Sequence, residues 1–228
     1  LTVRLHACAY PGTSVLRQWL ELENAGTAPM AADAVPWQIM LQADGASPFT
    51  QHWIVGGNSR ADQGLMGSAP VTPGYRRELA GGATWAFMPW TALQRRQGAG
   101  DGWFVALDYL GHWSLTTERA GCGPIALAAG IPDLAAVTLA PGQTIELPAV
   151  TVGVFCGTLD DMMVRVYDWQ YRYQWDYTNT DYYARPKWAV PWTYCCQNLQ
   201  EQFAERLAFL DMDADMARQV GFEVLWDD

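Results

Sequence analysis

The period of the apolar side chains changes at Thr158, and this change constrains the fold more than any other feature of the chain. Before Thr158, short runs alternate apolar and polar residues and are separated by Gly and Pro, as in the strands of antiparallel sheets. After Thr158, apolar residues recur every three or four positions, as on one face of a helix. The sequence therefore predicts a β part followed by a part that contains helices.

The alternating runs predict a sandwich of two packed antiparallel sheets over residues 1–157. They comprise the first residues LTVRLHACAY and the segments 15–26, 35–42, 49–57, 103–119 and 137–155. Segment 103–119 resembles two strands folded about Leu110 and Gly111, and segment 137–155 resembles a pair folded about Pro141 and Gly142.

A helix of about five turns is predicted to begin after Thr158, because Thr158 is followed three residues later by Asp161 in the manner of a capping box. Apolar side chains at 159, 162, 163, 166, 169 and 173 define its buried face. The polar, Pro-containing stretch TNTDYYARPK follows and is typical of a linker. Residues 158–186 are therefore predicted to be a helix and a linker between domains.

Residues 187–228 follow the order strand, helix, strand. The strands are the apolar segments KWAVPWTYCC and FEVLW, and the helix runs from about Gln200 to Val220 with Gly221 as its stop. A crossover of this length fits a parallel βαβ unit, which we interpret as the first unit of a (β/α)8 barrel. One such unit leaves sheet edges unpaired, so we expect it to be unstable alone.

Composition excludes two classes of partner. The formal charge of −10 repels polyanions, so a nucleic acid is not expected. No run of about 18 apolar residues occurs, so no membrane span is predicted. Because the chain starts at Leu1 within a strand-like stretch, we expect the natural N-terminus to precede it; the compartment is not specified by the sequence.

The cysteines and histidines indicate no metal or other cofactor. The five Cys have neither the spacing of a zinc site nor that of a disulfide framework, and Cys8, Cys122 and Cys156 are predicted to be small core residues. The adjacent pair Cys195 and Cys196 suits neither metal ligation nor an ordinary disulfide. The three His fall in separate predicted strands or hairpins, with no Cys or carboxylate nearby at the spacing of metal ligands.

The acidic pair Asp227 and Asp228 closes the stretch GFEVLWDD, directly after an apolar strand. In (β/α)8 barrels, residues that follow the carboxyl ends of the strands face the substrate. Two neighbouring carboxylates can accept hydrogen bonds from adjacent sugar hydroxyls. The alternative is that the pair is a solvated turn or the N-cap of a following helix.

Several stretches together resemble glycoside hydrolase family 36, the α-galactosidase and raffinose synthase group. They are VLRQWLELENAGTAPM, GWFVALDYLGHWSL, APGQTIELPAVTVGVF, the long aromatic helix and ADMARQVGFEVLWDD. The resemblance covers most of the chain, and its most specific piece is the terminal stretch, where the family usually has D-D-G-W. It implies an N-terminal β-supersandwich followed by the start of a TIM barrel.

The resemblance also implies an activity and site residues. The parent protein is expected to be a retaining glycosidase that cleaves terminal α-galactosyl residues from oligosaccharides, with Asp227 and Asp228 binding galactose hydroxyls. The family's nucleophile and acid/base follow later barrel strands and lie outside these 228 residues, so the chain as given is expected to be inactive. Trp192 would stack on a pyranose or pack beneath the barrel, and His52 would border the pocket or be an ordinary sheet histidine.

Two other functions fit the same residues. One is a non-catalytic carbohydrate-binding sandwich, for which the many Trp would supply stacking platforms. The other is a glycosidase that acts on another α-glycoside, such as a glucoside or an N-acetylgalactosaminide. The sequence leaves a homo-oligomer open in each case.

Overall fold

A computed structural model describes residues 1–31, 37–41, 48–56, 61–62, 64–82, 86–95, 100–109, 111–132, 137–175, 214–216 and 218–221. The chain forms two compact units, Leu1–Gln174 and Trp175–Asp228. In the second unit, residues 214–216 and 218–220 are helical, and Gly221 follows with a φ of 87°, a conformation typical of a helix stop. The strands of the predicted βαβ unit lie outside the described residues, so the barrel start and the boundaries 157/158 and 186/187 stay predictions.

The described part of the first unit contains fourteen strands. They are β1 (Thr2–Ala9), β2 (Val15–Glu23), β3 (Met30–Ala31), β4 (Trp37–Leu41), β5 (Phe49–Val55), β6 (Met66–Val71), β7 (Tyr75–Gly81), β8 (Phe87–Arg95), β9 (Asp101–Leu107), β10 (Trp113–Arg119), β11 (Ile125–Gly130), β12 (Thr138–Leu139), β13 (Thr144–Glu146) and β14 (Val150–Cys156).

These strands form two large antiparallel sheets, as predicted. The larger has the order β1-β2-β14-β9-β8-β5-β6, with β13 also paired to β2, and the smaller has the order β4-β11-β10-β7. Strands β3 and β12 form a separate pair. The predicted β-sandwich is therefore confirmed.

The main core lies between the two sheets because alternate side chains of facing strands point inward. From the larger sheet it receives Phe49, Leu93, Val105 and Val150, and from the smaller sheet Leu79, Trp113, Leu115 and Ile125. All are almost fully buried, and Trp113 is the largest of the fully buried side chains. This core fixes which face of each strand points inward.

Helix α1 (Leu159–Trp169) packs on the outer face of the larger sheet. The predicted capping box at its start is present: the Asp161 backbone N–H donates to the Thr158 hydroxyl, and the Thr158 backbone N–H donates to Asp161. Met162 and Trp169 are buried against Phe104 and Phe155. The helix continues as a π-helical segment, Gln170–Gln174, so the predicted long helix is confirmed with a change of hydrogen bonding near its end.

Two predicted strand pairings are wrong, although the strands themselves exist. Strands β9 and β10 do not pair: β9 lies in the larger sheet beside β14 and β8, whereas β10 lies in the smaller sheet beside β11 and β7. Strands β12 and β13 also pair elsewhere, with β3 and β2. In both places the chain leaves one sheet at the turn and enters another. Each strand therefore pairs with strands that are distant in sequence.

The prediction that three cysteines are core residues is also wrong. Cys122 and Cys156 are exposed, and Cys8 is partly buried. Cys122 lies in a turn, and Cys156 ends β14 on the same face as the exposed Val154, where the core no longer covers the strand. The pair Cys195 and Cys196 lies outside the described residues. Among the helices that are described, none combines the length and apolar character needed to cross a membrane.

Candidate functional site

His52 is the one predicted site residue that the structure describes; Trp192, Asp227 and Asp228 lie outside the described residues. It lies in the middle of β5, where Phe49 and Trp53 contribute to the main core. Alternation therefore places His52 on the outer face of the larger sheet, opposite Ala92 of β8 and Ser68 of β6. That is the face on which α1 packs.

The His52 imidazole is half-buried, and burial is the main reason that its pKa is lowered. A hydrogen bond with the Gln94 side chain acts in the opposite direction and is the weaker influence on that pKa. Nε2 is shielded from water and has no hydrogen-bond partner within the described part of the chain. Gln94 in turn donates to the Gly157 carbonyl at 3.1 Å, just before the helix cap. His52 is thus favoured as a neutral imidazole.

On the opposite side of β5, Gln51 is fully buried between the two sheets. Its Nε2 donates to the hydroxyls of Thr91 in β8 and Thr117 in β10, both at 2.9 Å. Its Oε1 accepts from the Tyr75 hydroxyl at 2.7 Å. Every polar atom of the Gln51 side chain is therefore bonded, as a buried amide requires.

This polar network reaches the surface at Arg77. The Arg77 Nε donates to the Tyr75 hydroxyl at 2.6 Å, and its guanidinium carbon lies 3.2 Å from the centroid of the Trp53 ring. An open cleft of about 460 Å³ adjoins this pair. It is lined by Trp53, Val55, Asp62, Leu65, Met66, Gly67, Arg77 and Phe87.

Sequence reasoning missed this cleft. Trp53 is adjacent to the predicted site residue His52, but alternation points the two side chains to opposite faces of the sheet. Arg77 lies in β7, whose sequence YRRELAG has three adjacent charged residues. Such a run indicates an exposed strand and gives no sign that Arg77 packs on another sheet. Within the described ranges no group of three or more His, Cys, Asp or Glu could hold a metal ion.

Comparison with known proteins gives a fold relationship. No protein-family model and no curated protein sequence matches the chain. Among solved structures, the glycoside hydrolase family 36 α-galactosidase AgaB from Geobacillus stearothermophilus matches over 99% of this chain with a TM-score of 0.65 and 18% identity. The α-galactosidase from Lactobacillus brevis matches over 99% of this chain with a TM-score of 0.64 and 16% identity.

A third match is a variant of the α-galactosidase AgaA from G. stearothermophilus, solved in complex with stachyose. It covers 99% of this chain with a TM-score of 0.64 and 17% identity. The chain covers 30% of the L. brevis structure and 31% of the other two, so it spans under a third of their length. At these identities the matches establish that the chain shares the fold of this portion of the α-galactosidases.

Proposed function

We propose that this chain is part of a retaining glycosidase of the α-galactosidase type, which removes terminal α-galactosyl residues from oligosaccharides. The observation that carries the proposal is the shared fold over 99% of the chain with three solved α-galactosidase structures. The sequence stretches that resemble glycoside hydrolase family 36 also support it.

Residues 187–228 would supply the first βαβ unit of the parent's barrel, with Asp227 and Asp228 at the carboxyl end of its second strand. There the two carboxylates would accept hydrogen bonds from adjacent hydroxyls of the terminal galactose. Trp192, after the first strand, would offer an aromatic face to the pyranose. The catalytic nucleophile and the acid/base would come from later strands of the same barrel.

His52 is the fourth proposed substrate contact. It lies in a strand of the sandwich, and its imidazole is half-buried and favoured in the neutral form. A neutral imidazole can donate one hydrogen bond and accept another, which suits a sugar hydroxyl. For that contact, Nε2 would have to become accessible to the substrate.

The test uses the complete protein to which this chain is proposed to belong. We expect it to hydrolyse an aryl α-galactoside in preference to the matching α-glucoside and α-N-acetylgalactosaminide. Asp228→Asn and Asp227→Asn should each lower kcat/KM at least about ten-fold, because a hydrogen bond to a charged group contributes about 1.5–3 kcal/mol. Asp215→Asn is the matched control, since Asp215 is exposed and pairs only with Arg218 among the described residues.

Preference for another α-glycoside would replace the proposed substrate while keeping the reaction class. Binding of oligosaccharides with no hydrolysis of any of the three glycosides would instead identify a non-catalytic carbohydrate-binding protein. Full activity of both Asp→Asn variants would contradict the proposed roles of Asp227 and Asp228.

A further inference from the structure

The cleft beside Trp53 is built where both sheets of the sandwich end. Strand β6 is the last strand of the larger sheet, and β7 is the last strand of the smaller one. Arg77 of β7 reaches across this edge to Trp53 of β5, so one side chain from each sheet forms the polar end of the cleft. The cleft size of about 460 Å³ is within the usual range for small-molecule sites.

Arg77 is held in one orientation. The Trp53 ring fixes the plane of the guanidinium through the contact at 3.2 Å, and the Tyr75 hydroxyl fixes the direction of Nε. Tyr75 is itself held by the buried Gln51, which bridges the two sheets. The guanidinium is therefore positioned by the core before any ligand arrives, which lowers the entropic cost of binding.

Arg77 lines the cleft with a half-buried side chain. Its Nε is engaged by the Tyr75 hydroxyl. The two terminal nitrogens, Nη1 and Nη2, carry four N–H donors in a planar fork. This geometry matches a carboxylate, which accepts two parallel hydrogen bonds from it.

The remaining wall is mostly apolar. It consists of Val55, Leu65, Met66 and Phe87, and both Leu65 (59%) and Met66 (43%) are strongly exposed. Asp62 also lines the cleft and has contacts of its own. Its negative charge repels every anion, and more strongly one with two or more negative charges, such as a phosphate ester, than one with a single charge.

A sugar ring fits this cleft less well than an apolar anion. Arg77 lies over the Trp53 ring, and the ring also occupies the space that a Cβ atom at Gly67 would need. Little of the indole face is left for a pyranose to stack on. The polar groups are also few, whereas a sugar presents several hydroxyls that each need a partner.

We propose that this cleft binds a small monocarboxylate with an apolar body, whose carboxylate pairs with Nη1 and Nη2 of Arg77 while the body contacts Leu65, Met66 and Phe87. The site goes beyond the proposed glycosidase function and does not depend on it. It would be a second binding site on the sandwich, separate from the proposed galactose contacts of the barrel.

The test is isothermal titration calorimetry of the full chain with phenylacetate and with its uncharged analogue phenylacetamide. We expect phenylacetate to bind at least about ten-fold more tightly, because the amide cannot accept two charge-assisted hydrogen bonds. Arg77→Gln should abolish this preference. Arg77→Lys should reduce a ten-fold preference for phenylacetate to about three-fold or less, since an ammonium cannot form the planar fork.

Arg76→Gln is the matched control, because Arg76 is the exposed neighbour whose side chain points to the opposite face of β7. It should bind phenylacetate as the unaltered chain does. Leu65→Gln alters the exposed wall without touching the buried network, so it tests the site even if Arg77 variants unfold; it should weaken phenylacetate binding about three-fold or more.

Equal affinity for phenylacetate and phenylacetamide would overturn the proposal, as would unchanged binding in Arg77→Gln. Absence of phenylacetate binding would overturn it too. Binding of raffinose at this cleft without binding of phenylacetate would assign the cleft to neutral saccharides instead. Because no assay here measures hydrolysis, failure of the glycosidase proposal leaves these outcomes unchanged.

Discussion

The Nε2 of Gln51 donates a hydrogen bond of 2.9 Å to the Oγ1 of Thr117, and this bond joins the two sheets of the sandwich through its core. Both side chains are fully buried, so water cannot replace either partner. A buried polar group contributes little net stability when it is paired but is costly when its partner is lost. The bond therefore specifies how the sheets face each other more than how strongly they adhere.

Gln51→Leu should lower the free energy of unfolding by about 2 kcal/mol, because it leaves the Tyr75 hydroxyl without its acceptor and the hydroxyls of Thr91 and Thr117 without their donor. Denaturant unfolding measures the change. The double variant Gln51→Leu with Thr117→Val removes both partners of the inter-sheet bond and should lose less than the sum of the single variants. Additive losses would contradict coupling of the two residues.

Gly102→Ala should destabilise the chain by about 2 kcal/mol or more, because a Cβ atom there would overlap the Leu93 carbonyl oxygen and lie 2.5 Å from the Phe155 ring. Backbone cannot move aside as a flexible side chain can. Gly81→Ala is the control, since its Cβ would meet Trp113 at an ordinary 3.5 Å. Thermal unfolding of both variants tests this; equal melting temperatures would show that β8 and β9 separate easily at Gly102.

The sequence predicts elements whose signals are local and misses those whose partners are distant. Thr158 and Asp161 lie three residues apart and determine the helix start by themselves, so the prediction was correct to the residue. Strand β9 alternates strongly enough to be identified, but its partner β14 begins more than forty residues later and is not encoded locally. A turn such as that after Asp108 looks like a hairpin whether the chain stays in one sheet or changes sheets.

The same limit applies to the candidate sites. The sequence around His52 predicts it as a candidate, whereas the position of Arg77 over Trp53 requires the packing of two sheets. Charged strands such as β7 give a weak apolar signal because their outward residues, Arg76 and Glu78, alternate with the half-buried Arg77. Only the folded sandwich brings Arg77, Tyr75 and Gln51 into one chain of hydrogen bonds.

Thr158→Ala should lower the free energy of unfolding by about 1 kcal/mol, because it removes a side chain that accepts from the Asp161 N–H at the start of α1. Thr158→Ser keeps the hydroxyl and should restore most of the loss. Denaturant midpoints of the three proteins measure this effect. Equal midpoints for the alanine and serine variants would mean that the hydroxyl does not cap the helix.

Asp161 makes the same cap sensitive to acid. The pKa of its carboxyl is lowered chiefly by the Thr158 backbone N–H and then by the Thr158 hydroxyl. A carboxyl whose pKa is lower in the folded chain stabilises it above the unfolded pKa of about 3.9, and this contribution is lost as pH falls through the folded pKa. Asp161→Asn should therefore flatten the acid limb of a stability profile, and an unaltered limb would exclude this carboxyl as its source.

His52 should destabilise the fold at mildly acid pH through the opposite relationship. Burial lowers its pKa more than the Gln94 side chain raises it, so the unfolded chain binds the proton more readily than the folded chain does. The neutral imidazole is fully tolerated above the unfolded pKa of about 6.5. Stability then falls as pH drops below that value and levels off below the folded pKa.

His52→Gln keeps a polar side chain of similar reach but does not titrate. Its denaturant midpoint should therefore change less between about pH 7.5 and pH 5 than that of the unaltered chain. Because His6 and His112 are present in both proteins, the difference between the two profiles isolates His52. Parallel profiles would show that the imidazole is as well solvated in the folded chain as in the unfolded one.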